Sequence, residues 1–485
     1  MHEEMVAIAD LGSHQYPAAP FSPDTHYPEY DFKDVNPTAN RVYAGVRQLF
    51  LSLELDRARY GSPHWNPLGG LIEPGMRVLV KPNLVRHYHP YGMDPASLVT
   101  HASLIRAVCD YVLIAAGRQA ELVIADAPLQ SCVFKEVLKL SGINRLIEYY
   151  RAQGVRAQVR DLRLVRALVE RRFPFGRVLV QQENCGDPLG YTTIDLNAHS
   201  LHAGRDPDGT RFRVTCYDPI HMRQHHGGGR HQYIIANTLL DADVVINLPK
   251  MKTHHKAGIT GALKNFIGIN GHKDCLPHHT KGTPEEGGDE YLEHTWIKRL
   301  DSWMLDAKET HGGVLVMKAA AVAHRLLHQA HMDGPESYWE GSWYGNETIS
   351  RTTLDLNRIA RYADRGGRLC ARPQRSVFTV VDGVLAGEKD GPLAPTPKPV
   401  GLLLAGMNSL AVDTVMARLM GFRHDAIPTI RDGFLLSGEM PLAGFPASAV
   451  TTVSESSRWH GLSANGAGPS LGFEPHKGWK GYIQL

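Results

Sequence analysis

Five short apolar runs constrain what this chain can fold into. They are 76–80 (MRVLV), 121–125 (ELVIA), 243–247 (DVVIN), 377–381 (VFTVV) and 400–405 (VGLLLA). None alternates polar with apolar residues, so each reads as a strand buried on both faces. Such strands belong to a parallel sheet covered by helices. The segment 103–116 is apolar at helical spacing and lies between the first two runs, which predicts a right-handed strand–helix–strand unit. The expected fold is α/β with a mainly parallel sheet. Four of the runs lead into polar residues: Lys81 and Asn83, Asp126, Asn247 and Lys250, and Asp382. One such residue is as often a turn or a helix cap. Four together predict a site, because open α/β sheets bind ligands outside the carboxyl ends of their strands.

The densest chemical signal follows the third run: NLPKMKTHHKAGITGALKNFIGINGHKDCLPHH, residues 247–279. Lys250, Lys252, Lys256, Lys264 and Lys273 are mixed with His254, His255, His272, His278 and His279. A solvated basic face would account for the charge but not for the interleaved Gly258, Gly261, Gly268 and Gly271. Glycines let backbone N–H groups approach an anion, and lysines add positive charge. The order is not that of a P-loop. His254 and His255 with His272 could instead ligate a metal, although no H-E-x-x-H spacing is present. Both readings stand at this level.

Two further groups are weaker. Asp382-Gly383, Gly387-Glu388 and Gly391-Pro392 form a glycine-rich acidic stretch. There Asp382 and Glu388, with Asp126, are candidate metal ligands; ordinary turn acids are the plainer reading. Asp413 either points back at the strand ends or serves as a cap or salt-bridge partner, and the latter is expected. Arg351, Asp355 and Arg358 recur on one helical face, as solvent salt bridges do. Trp339, Trp343 and Tyr344 just before them could stack on a sugar or base.

The totals exclude several classes. Over 485 residues the formal net charge is +2, which argues against nucleic acid as a partner. No apolar run reaches 18 residues, so no membrane span is expected. The first residues lack a basic segment before an apolar core, so no secretory signal is expected. None of the six cysteines stands in a C-x-x-C pair, so no iron–sulfur cluster is readable. A cytoplasmic protein is expected. The divisions expected are an irregular N-terminal arm (1–40), an α/β domain with the basic loop (41–280), a helical cap (281–370), and a C-terminal α/β portion with a wrapping tail (371–485).

VKPNLV, ADVVINLPKMKTHHKAGITGALKN, DGVLAGEKDGP and NSLAVDTVMARLMG, in that order, resemble the signature blocks of domain-of-unknown-function family 362. A more distant resemblance is to the lactate racemases, through the strand at 242–247, His254, Ala257-Gly258, Lys264 and a later His272. It implies a shared fold and pocket, a lysine that holds a nickel-pincer nucleotide, and histidines that serve the metal and the proton transfers. The strand that leads to another histidine in that family leads here to Asp126-Ala127-Pro128.

These readings converge on an enzyme for a small anionic ligand. Lys81, Asn83, Lys250, Lys252, Lys264 and Asn265 would hold a substrate or a nucleotide-derived cofactor. His254, His255 and His272 would move protons, since imidazole gives and takes protons near its unperturbed pKa of about 6.5. A divalent metal would sit at Asp126, Asp382 and Glu388. The alternative is a non-catalytic carrier of a phosphorylated ligand or metal.

Overall fold

A computed structural model describes residues 2–172, 176–214, 219–296, 298–300, 302–303, 340–466 and 468–485. The apolar runs become the strands of one ten-stranded, mostly parallel sheet. Its members are β1 (Met5–Asp10), β2 (Val78–Pro82), β3 (Glu121–Asp126) and β4 (Arg156–Asp161). Smaller pairings lie outside it: β5 (Val165–Arg172) with β6 (Gly176–Glu183), β7 (Tyr191–Asp195) with β9 (Gln232–Ala236), and β8 (Phe212–Arg213) with β13 (His279–Thr280). The main sheet resumes with β10 (Val244–Leu248), β11 (Lys250–His254), β12 (Gly258–Thr260), β14 (Ser376–Asp390), β15 (Ala394–Gly406) and β16 (Thr451–Val453). The path runs β16-β1-β15-β14-β10-β2-β3-β4, with β11 beside β14 and β12 beside β11.

Residues alternate across the sheet as the pleat requires. Val78 and Val80, Leu122 and Ile124, Val244 and Ile246 face one core, covered by the helices Arg41–Ser52 and Ala102–Ala116. Leu79, Ala125 and Val245 face the other, where the helix Thr348–Tyr362 packs through Leu356 and Ile359. Parallel register aligns Lys81 with Asn247 and Asn247 with Thr379. This row continues the second face at the carboxyl end of the parallel strands.

Three expectations need correction. The N-terminal arm is not all irregular surface. Met5–Asp10 forms β1, inserted between β15 and β16, with Val6, Ala7 and Ile8 fully buried. Asp382 does not end its strand: β14 bulges between Gly383 and Leu385 and runs on to Asp390, then returns antiparallel as β15. The strands of the 371–485 portion, β14 and β15, share the sheet with β2 and β10. Finally, Thr348–Tyr362 is a core helix rather than a solvent helix. Asp355 is fully buried and accepts hydrogen bonds from Ser200 Oγ (2.5 Å), Leu201 N (2.9 Å) and Tyr233 Oη (2.9 Å). Within the expected cap, residues 304–339, with Trp339, lie outside the described residues. The C-terminal tail does pack on the body, burying Trp459, Phe473, Trp479 and Ile483.

If β1 is a core strand, Ile8→Ala should cost about 2–5 kcal/mol in denaturant unfolding. A change below about 0.5 kcal/mol, the usual effect of a surface substitution, would return this segment to the surface.

Candidate functional site

The basic stretch folds as three short pieces over the strand ends. β11 and β12 carry His254 and Thr260. A one-turn helix, Ala262–Asn265, carries Lys264 and Asn265, and the turn Phe266–Ile269 follows. The helix start is held from outside. The Asp413 carboxylate, on the helix Ser409–Met420, accepts Ala262 N at 2.6 Å and Leu263 N at 3.0 Å. Burial pushes the Asp413 pKa up to about 7 against the effect of these two donors. Only glycine fits at 261, because a Cβ there would lie 2.1 Å from Asp413 Oδ1.

Asn265 ties this piece to the sheet. Its amide donates to Asn247 Oδ1 (2.8 Å) and to the Lys81 carbonyl (3.2 Å), while its Oδ1 accepts from Asn83 Nδ2 (3.0 Å). Lys81 is fully buried and pairs with Asp126 at 2.7 Å. Desolvation lowers the Lys81 pKa and the Asp126 charge opposes this. Asp126 also accepts Leu84 N at 2.8 Å. Lys252 donates to Asn83 Oδ1 (2.7 Å) and to the Leu98 carbonyl (2.5 Å).

Above this lattice lies a cavity of about 300 Å³. Its basic lining residues are Arg86, Lys256, Lys264 and Lys273, and its imidazoles are His254, His255 and His278. Asp126, already paired with Lys81, is the carboxylate among the lining residues. Lys264 has no hydrogen-bond or ion-pair partner among the described residues. Burial, then Lys273 and Lys256, bring its pKa down to about 7. Lys273 is also brought to about 7, mainly by burial, and donates to the Ile267 carbonyl at 3.1 Å. Two buried polar atoms of the lining, Thr260 Oγ1 and Gln130 Nε2, lack partners among the described residues. In a native protein such atoms call for a ligand or water.

The histidine tautomers follow from their neighbours. His254 Nδ1 accepts Lys256 N (3.0 Å) and Ala257 N (3.2 Å), so the neutral ring carries its proton on Nε2. His255 Nδ1 donates to the Gly391 carbonyl (3.0 Å) and His278 Nδ1 to the Leu276 carbonyl (2.6 Å), which leaves both Nε2 atoms as acceptors. Burial holds all three well below the ordinary imidazole pKa, and neighbouring lysines reinforce it. The tail buttresses this loop, since Trp479 Nε1 donates to the His255 carbonyl at 2.7 Å.

The cavity thus brings together Asn83, Asp126, His254, His255, Lys264 and Asn265 of the expected residues, with Lys81 and Lys252 directly behind them. Others lie elsewhere. Lys250 and Asp382 form a separate buried pair at 3.1 Å, joined by the Tyr16 hydroxyl, which donates to Asp382 (2.7 Å) and accepts from Lys250 (2.6 Å). His272 lies tilted against His221, with ring centroids 4.1 Å apart, outside the cavity lining. The proposed metal set does not assemble: Asp126 pairs with Lys81, Asp382 with Lys250, and Glu388 with Lys398 at 2.9 Å. The sequence does not single out Tyr16, Gln130, Thr260 or Trp479, and for Asp413 it offers a cap or a salt bridge without naming the partner. Trp479 stands in a tail whose aromatic content was the available signal.

The profile of the family described as Domain of unknown function (DUF362) matches residues 78–182 and 208–418, well over half of the chain. The protein belongs to that family, and nearly all of the cavity lining falls within the matched spans. It is similar to a thylakoid-associated protein of Synechocystis sp., 23% identical over 371 residues that cover 75% of this chain and 70% of the relative. It also matches a crystal structure of a Thermotoga maritima protein at 12% identity with a TM-score of 0.29, covering 74% of this chain and 53% of that one. No helix among the described residues is long and apolar enough to cross a membrane.

Gly268 makes the lattice testable. A Cβ there would lie 1.9 Å from Asp126 Oδ1 and 2.7 Å from Lys81 Nζ. Gly268→Ala should displace the buried pair and cost about 3 kcal/mol or more, the scale of breaking such a pair. Gly70, with nothing within 4 Å of its would-be Cβ, is the control. Equal unfolding midpoints for Gly268→Ala and Gly70→Ala would show that the pair does not depend on this close approach.

Proposed function

We propose that this protein is an enzyme that takes a small anion into the cavity beside Lys264 and transfers a proton there. The observation that carries the reading is the unbalanced positive charge of the lining. Of the four cations Arg86, Lys256, Lys264 and Lys273, Lys256 lies 3.9 Å from Glu340, the one lining carboxylate, Asp126, is already paired with Lys81, and the Lys264 ammonium has no partner among the described residues. An anion would supply that partner, and Thr260 Oγ1 and Gln130 Nε2 would complete its hydrogen bonds. A volume of about 300 Å³ is at the small end of ligand sites, which favours a compact carboxylate or phosphate ester over a whole dinucleotide.

The proton chemistry rests on the tautomers. His254 presents an N–H, while His255 and His278 present lone pairs, all as neutral rings. A neutral imidazole acceptor is a general base, and Lys264 near pKa 7 can hold or release a proton at neutral pH. The resemblance to lactate racemases supports the same assignment of Lys264 as the anchor. Free thiols at Cys109, Cys132, Cys185, Cys275 and Cys370 support residence in a reducing, cytoplasmic compartment.

Calorimetry with small carboxylates and phosphate esters tests the reading. Lys264→Ala should weaken binding about tenfold or more, the value of one charge-assisted hydrogen bond. Lys281→Ala, outside the lining, should bind as the parent does. Equal loss in both variants, or in neither, would remove Lys264 as the anchor. Turnover of a bound compound marks the enzyme, whereas binding without turnover marks a carrier.

The pH dependence has a definite sign. An ammonium whose pKa is brought down to about 7 is mostly charged at pH 6 and mostly neutral at pH 8. Anion affinity should therefore fall as pH rises through about 7, and the fall should flatten in Lys264→Ala. Affinity that is level from pH 6 to 8 in the parent protein would contradict this.

A further inference from the structure

Beyond the cavity, His221, His225 and Cys275 form the one group of three metal-type donors found among the described residues, with all three ligand atoms within 4.8 Å of one another. Their arrangement has the marks of coordination. His221 and His225 are four residues apart on the helix Pro219–His226, so they project from one face. Their ring centroids are 4.4 Å apart. His221 Nε2 lies 3.0 Å from Cys275 Sγ. For a tetrahedral zinc with ordinary Zn–N and Zn–S bonds, the nitrogen and sulfur would be about 3.5 Å apart, so half an ångström of side-chain movement would admit the ion.

The orientation of His225 adds a second observation. Its Nδ1 lies 2.9 Å from the His221 carbonyl, which can only accept, so Nδ1 carries the proton and Nε2 presents its lone pair. Fixing the ligand tautomer through the other ring nitrogen is the usual outer support of a histidine metal ligand. Cys275 is itself buried and held on the Lys273–Cys275 turn, whose carbonyl at Cys275 accepts from His226 Nε2 at 2.9 Å.

We infer that His221, His225 and Cys275 bind a divalent metal of the zinc class. Two imidazoles and one thiolate suit a borderline-soft cation and not magnesium or calcium, which take oxygen ligands. Three protein donors leave one tetrahedral position for water or a further ligand. His272, tilted against His221, then stands among the surroundings of this ion. The site is distinct from the carboxylate set expected from sequence and does not rest on the anion reading. It would connect to the cavity through Lys273, which opens the same turn and lines the cavity wall. Binding ties the helix Pro219–His226 to that turn, and the Cys275 proton leaves to solvent as the Zn–S bond forms.

The test uses the tag-free full chain, purified under reducing conditions, stripped of metal and titrated with Co²⁺ and Zn²⁺. The expected result is one equivalent of Co²⁺ with a thiolate-to-cobalt charge-transfer band, displaced by Zn²⁺. Cys275→Ser should lose the band, and His225→Ala should weaken binding about a hundredfold or more, at least as much as loss of an outer-shell partner. His460→Ala, an exposed histidine elsewhere, should bind as the parent does. His225 is only half-buried, so its variant serves if Cys275→Ser does not fold, with circular dichroism as the check. The inference is overturned by absent stoichiometric uptake in the parent chain, by a band without sulfur character, or by His225→Ala binding like the parent.

Discussion

The Lys81–Asp126 pair is the interaction on which the rest of the site depends. An ammonium with no exposed surface costs several kcal/mol to desolvate, and only a close, hydrogen-bonded carboxylate offsets it. That requirement joins β2 to β3 at their carboxyl ends. It also explains why the chain passes above the pair as a glycine at 268, since nothing larger fits over Asp126 and Lys81. Asn265 and Asn83 then satisfy the remaining polar atoms around the lysine, and Asn247 extends the network to β10. The short helix bearing Lys264 is thus fixed from below by amide hydrogen bonds and from the side by Asp413.

Against that rigid floor, the distribution of charge is uneven in a way that matters. Lys81, Lys250 and Lys252 are each answered by a carboxylate, a hydroxyl, an amide or a carbonyl within the protein. Lys264 is not, and its neighbours in the cavity wall are other cations. The fold answers Lys81 and Lys250 with carboxylates and Lys252 with neutral acceptors, and it leaves the Lys264 ammonium facing a cavity. Burial and the neighbouring Lys273 and Lys256 disfavour its charged form, and an anion bound there would offset that effect.

Much of this was legible in sequence, for a physical reason. Strands buried on both faces write themselves as unbroken apolar runs, and the polar residues that end them mark the sheet's carboxyl edge. So Asn83 and Asp126 are legible at that edge, while Lys264 and Asn265 come from the basic glycine-rich stretch and the family resemblance. What escaped depended on tertiary context. MVAIAD is only six residues in a stretch rich in proline and tyrosine, and its partner β15 lies almost four hundred residues away. Gly383 after Asp382 reads as a strand end, yet β14 absorbs it as a bulge and continues. Arg351, Asp355 and Arg358 have the spacing of a solvated face, but Asp355 is satisfied by Ser200, Leu201 and Tyr233 from distant segments. Asp413 could not be placed because a carboxylate on a helix looks the same whether it meets solvent or two backbone N–H groups. Asp382 and Glu388 failed as metal ligands because each already faces a lysine that spacing alone did not assign to it.

On the proposed function, the cavity holds an anion against Lys264. Crystals of the full chain soaked in selenate, a tetrahedral anion with an anomalous signal, test it most directly. The predicted result is an anomalous peak in the cavity with an oxygen at about 2.7–2.9 Å from Lys264 Nζ, the distance of a charge-assisted hydrogen bond, and no such peak in Lys264→Ala crystals. A parent structure with selenate only on the outer surface, or a cavity peak unchanged in the variant, would contradict it.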